Sequence, residues 1–69
     1  MQTLVFNTTD KTVKLYEGSK SESKLITIFD DVPTVKCERG YYEVMRKSLE
    51  TTQPVLRVPI SNTNMLIEK

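Results

Sequence analysis

Val32 to Lys47 reads V-P-T-V-K-C-E-R-G-Y-Y-E-V-M-R-K, and whether its second half extends or coils decides the fold class. As strands, Val35 and Cys37 share one face, Glu38-Arg39-Gly40 makes a turn or bulge, and Tyr42 and Val44 continue inward. Gly40 suits the positive φ that such a reversal needs. As a helix, Tyr41 or Tyr42 with Met45 and Leu49 falls at i, i+3/i+4, i+7 spacing, and Glu43, Met45, Arg46 and Lys47 are helix formers. The adjacent tyrosines and Val44 favour the extended form. The segments on either side agree with it, so the expected fold is mainly β, a small antiparallel sheet or partly open barrel of five to six short strands. The alternative is a β+α domain with one short helix at about 41–49.

Upstream, Gln2–Asn7 gathers Leu4, Val5 and Phe6 and ends on the turn-forming N-T-T-D. Thr12–Glu17 alternates, with Val13 and Leu15 on one face and Thr12, Lys14 and Tyr16 on the other. Four residues separate the two segments, so they pair as an antiparallel hairpin. Residues 18–23, G-S-K-S-E-S, form a polar loop and the expected site of proteolytic nicking. Gly18-Ser19-Lys20 lacks the spacing of a phosphate-binding loop. Lys24–Phe29 is apolar on both faces, which predicts a central strand covered on each side, within the protomer or by a second chain. Asp30-Asp31 stops it, and Pro33 keeps Val32 extended.

Downstream, residues 48–53 read as a turn, 54–60 as a short strand, 61–64 as a turn and 65–68 as a last short strand. Pro54 and Pro59 lie an odd number of residues apart, so in a regular strand their missing N–H groups face opposite edges. That predicts an edge or bent strand paired only from about Val55 to Val58.

The 69 residues make a single domain, 1–69. A chain of this length buries only about 60% of the surface that its unfolded state exposes. One cysteine forms no internal disulfide, and without histidine only carboxylates could ligate a metal, so no cofactor or metal is expected. Association is the remaining source of stability, which predicts a homo-oligomer or a module held by its partner. Ten basic against nine acidic side chains give no field for binding nucleic acid by charge alone. No apolar run is long enough to span a membrane, and residues 1–7 lack the basic and apolar regions of an export signal. Asn7-Thr8-Thr9 is then a glycosylation match without context, and the lone thiol fits the cytoplasm.

Catalysis finds little support. Every histidine-based constellation is absent. The neighbouring carboxylates of Asp30-Asp31 point apart in an extended chain. Cys37, with Lys36 and Arg39 beside it, is expected to be a small core residue rather than a nucleophile. The chain is therefore read as a non-catalytic, self-associating interaction module acting through protein–protein contacts. Its expected contact residues are Tyr16, Tyr41, Tyr42, Met45 and Arg46, types enriched at interface hot spots, with Lys36, Arg39 and Lys47 of the basic cluster around the two adjacent tyrosines. The alternative is a single-stranded DNA or RNA binder that stacks bases on Tyr41 and Tyr42 between Arg39, Arg46 and Lys47. A small ligand held between protomers has no residue signature. Short, near-neutral chains with one cysteine and no motif are common among accessory proteins of phages and mobile elements, an association that suggests a host factor as partner.

Overall fold

The computed structural model describes residues 1–18 and 22–69, so the part of the polar loop at 19–21, with its nicking and phosphate-loop readings, lies outside the described residues. Seven strands follow one another: β1 Gln2–Asn7, β2 Thr12–Glu17, β3 Lys24–Phe29, β4 Thr34–Glu38, β5 Tyr41–Ser48, β6 Thr51–Pro59 and β7 Thr63–Glu68, with a 3-10 turn Ile60–Asn62 before the last. They form two small sheets, one ordered β3-β2-β1-β7 and one ordered β4-β5-β6. The chain is mainly β as expected, with seven strands in two sheets in place of five or six.

The first hairpin follows its sequence pattern. β1 and β2 pair antiparallel from Gln2↔Glu17 to Asn7↔Thr12. Asn7 Oδ1 accepts the amide protons of Thr9 (3.0 Å) and Asp10 (2.9 Å), and Lys11 at φ 57° completes the reversal. β7 then lies parallel to β1, from Gln2↔Thr63 to Asn7↔Glu68. Glu68 O receives the Thr8 amide (2.9 Å) and the Thr8 hydroxyl (3.1 Å), which fixes the far end of that pair. β1 is thereby an inner strand, a position that a local reading of its six residues does not reveal.

The second sheet settles the question posed by Val32–Lys47. Tyr41–Ser48 is a strand, and the helical alternative at 41–49 is incorrect. β4 pairs with one of its edges and β6 with the other, so ladders on both sides outweigh the helix propensities of Glu43, Met45, Arg46 and Lys47. Glu38 pairs with Tyr41 across Arg39 (φ 52°) and Gly40 (φ 82°), two positive-φ residues as a type I′ hairpin turn requires.

The turn expected at 48–53 is narrower, since Ser48 already pairs with Thr51 and only Leu49 and Glu50 reverse the chain. Nor is pairing in β6 confined to Val55–Val58: it runs from Thr51 to Pro59. The physical reason is a bulge. Leu56 pairs with Val44 and Pro54 with Met45, so Val55 is an extra residue. It resets the alternation, and the partners of Pro54 and Pro59, Met45 and Tyr41, are an even number of residues apart. Because the Ile60 amide reaches inward to Gly40 O (2.9 Å), Pro59 and then Pro54 turn their donorless nitrogens to the free edge.

The core joins the sheets. Leu4 and Phe6 from β1 and Val13 and Leu15 from β2 pack with Val44 of β5, Val58 of β6 and Val32 of the linker. Each such aliphatic side chain contributes roughly 1.5–3 kcal/mol on burial. The Asp31–Val32 linker is bonded to both sheets: the Val32 amide donates to Lys11 O and the Lys47 amide to Asp31 O, each at 2.9 Å. β3 departs from expectation. It is an edge strand, and among the described residues no layer covers its outer face.

Candidate interaction surface

Among the described residues β3 pairs only with β2, and the register shifts between Leu15 and Tyr16, where Ile26 is the extra residue. Paired residues share a face, so Leu25 beside Tyr16 and Ile28 beside Lys14 turn to the outer side of the first sheet. Leu25, Ile26 and Ile28 are 44%, 52% and 49% exposed. The same registers extend these rows across the sheet, one to Val5 and Leu66 and the other to Thr3 and Asn64. A shallow depression of about 100 Å³ on this face is lined by Val5, Asn7, Lys14, Tyr16 and Glu68, among others. On this face the exposed apolar side chains gather at the β3 edge, as Leu25, Ile26 and Ile28, while Lys14, Thr3 and Asn64 interrupt the rows further into the sheet.

The second surface lies on the other sheet. Arg57 of β6 stands opposite Glu43 of β5, with its Nη2 at 2.6 Å and its Nε at 3.1 Å from Glu43 Oε2. The Arg57 guanidinium also lies 5.8 Å from the centre of the Tyr41 ring. Hydrogen bonding to Glu43, and then the charge of that carboxylate, raise the Arg57 pKa further. These three residues, with Glu38 and Arg39, line an open cleft of about 300 Å³. Arg57 and Glu43 pair within it, and the Arg57 cation lies over its one aromatic ring.

The residues expected to form one contact site are dispersed. Tyr16 belongs to the first sheet's outer face, half-buried. Lys36 is exposed on β4 opposite Glu43. Arg39 and Tyr41 meet at the cleft. Tyr42 points the other way and packs against the core, and Met45 is buried. Arg46 and Lys47 line a separate hollow with Asp31, Leu49 and Gln53. Five or six strand positions, roughly 17–20 Å, separate them from Tyr41. Two stacking rings flanked by all three cations are therefore not presented together. Cys37 is exposed, against the expectation of a core thiol: it shares a face with Tyr42, but lies near the end of an edge strand, where none of the described residues covers it.

Arg57 was absent from the expected set. Its only local signal was a cation alternating with Leu56 and Val58, while its pairing with Glu43 is set by the β5–β6 register. Among the described residues no three carboxylate or thiol side chains gather as a metal site, and no helix is long and apolar enough to cross a membrane. No protein-family model, curated protein or solved structure matches this chain.

Proposed function

We propose that this protein is a non-catalytic interaction module that works by protein–protein contact, with self-association as part of its action, through the β3 side of the four-stranded sheet. The observation that carries the reading is the edge strand itself: three large aliphatic side chains, each about half exposed, on a strand with an unpaired flank. Such edges recruit strands, because the backbone supplies unpaired donors and acceptors while side chains select the partner. An exposed, unpaired Cys37 fits a reducing compartment, which supports the cytoplasm as the place of action.

The test is cross-linking in lysate with wild type and the Leu25→Lys/Ile28→Lys variant, read by mass spectrometry at β3. Protein adducts at that strand in wild type, lost in the variant while its fold is retained, support the reading. Adducts unchanged by the substitutions overturn it. For the nucleic-acid alternative, fluorescence polarisation with a labelled single strand at about 50 and about 200 mM salt is decisive, since phosphate-driven binding falls steeply with salt. No binding is expected, because Tyr42 is packed inward and Tyr41 already faces Arg57.

A further inference from the structure

We infer that the occupant of the β3 edge is a second copy of this chain, added antiparallel about a two-fold axis at Thr27, so that each Lys24 lies beside the other copy's Asp30. This assignment rests on the protein-contact reading above and names its partner. Lys24-Leu25-Ile26-Thr27-Ile28-Phe29-Asp30 is complementary to its own reverse. Turned end to end, the cation meets the anion, Ile26 meets Ile28 and Thr27 meets itself. An isologous two-fold contact requires this kind of self-complementarity.

The other edges do not offer it. β6 turns the donorless nitrogens of Pro54 and Pro59 outward. β4 has five residues, follows Pro33 and carries an exposed Lys36 at its centre. β7 ends on Glu68-Lys69 with no charge at its start, so reversing it brings no opposite charges together. β3 has no proline and no charge between its two ends, and among the described residues nothing pairs with its outer flank.

The faces agree at the middle of the strand, over residues 26–28. Ile28 points outward, and the Ile26 bulge keeps Leu25 and Ile26 on that exposed side, while Thr27 sits opposite the inward Leu15. Ile26 therefore meets Ile28 of the other copy on one face, and the two Thr27 side chains meet on the other. Beyond the bulge the pairing slides by one place, so Lys24 comes level with the inward Phe29 of the other copy and its long side chain reaches roughly 3.3 Å further along to Asp30. The product is a continuous eight-stranded sheet, four strands from each copy, with the exposed Leu25, Ile26 and Ile28 side chains of the two copies adjoining at the axis.

The test is sedimentation equilibrium of the full chain from about 1 to about 100 μM, the range for a small interface, on wild type, Lys24→Asp, Asp30→Lys and the double reversal. Both side chains are exposed, so the fold should survive, and circular dichroism checks it. Wild type is expected to dimerise, either single reversal to weaken the dimer by at least about tenfold by opposing like charges, and the double reversal to restore it. A wild-type monomer across the range overturns the inference. So does a dimer indifferent to the single reversals, or a double reversal that fails to rescue. A monomer across the range also removes self-association from the proposed function, whereas contact with other proteins at β3 stands or falls on the cross-linking experiment.

Discussion

Leu49 is the residue whose local conformation is least suited to its side chain. It holds φ 56° in the two-residue β5–β6 turn and is 94% exposed. A left-handed backbone costs an L-residue roughly 1–2 kcal/mol, and here no burial offsets it. Leu49→Gly is expected to stabilise the fold by about 0.5–1 kcal/mol after the glycine's own entropy loss, visible as a higher thermal midpoint. An unchanged or lower midpoint would show that the turn is not strained. Thr63 poses a different problem, a buried hydroxyl with no hydrogen-bond partner among the described residues. Thr63→Val, close to it in shape, should raise stability by about 1 kcal/mol by removing an unpaired buried polar group. Chemical denaturation of both variants would check these signs.

For the elements, the turns set the registers. Gly40 at φ 82° has open space where a Cβ would stand, so Gly40→Ala is penalised by backbone conformation alone. A loss of about 1 kcal/mol is expected, with Gly40→Asn milder because asparagine tolerates the left-handed region. Gly18 at φ 107° adds a steric obstacle: a Cβ there would lie 2.5 Å from the Glu22 carbonyl oxygen. Gly18→Ala should therefore cost more than Gly40→Ala, and equal losses in urea melts would contradict that ordering. The β5–β6 pair shows how much of an element is readable locally. Two prolines at odd spacing correctly marked an edge strand, but the bulge that restores their alternation arises only where Val55 finds no partner on β5. Similarly, Tyr41–Ser48 carries helix formers and strand formers together, and pairing on both flanks decided between them.

Across the whole molecule, the β1–β7 pair closes the four-stranded sheet over a long sequence separation, and the Asp31–Val32 linker ties that sheet to the other. Removing residues 63–69 would strip β1 of one ladder and take Met65 from beside the core. The truncated chain is expected to lose its cooperative melt and to aggregate through the exposed β1 edge. A truncated chain with a sharp, full-height transition would show that β7 is dispensable. If the molecule pairs through β3, its thermal midpoint should also rise with protein concentration, as mass action requires.

Sequence by itself determined the β class, the bounds of β1, β2 and β3, the hairpin at Asn7–Thr12 and the turn at Gly40, because alternation and turn chemistry act over a few neighbouring residues. Tertiary structure alone decided that β1 is inner and β3 outermost, that Cys37 is exposed, that Tyr41 and Tyr42 serve different faces, and that Arg57 lies against Glu43. Those outcomes depend on which distant strand supplies the next ladder and the opposing layer. A segment's own pattern of apolar and polar residues specifies that it needs a cover, but not what provides it.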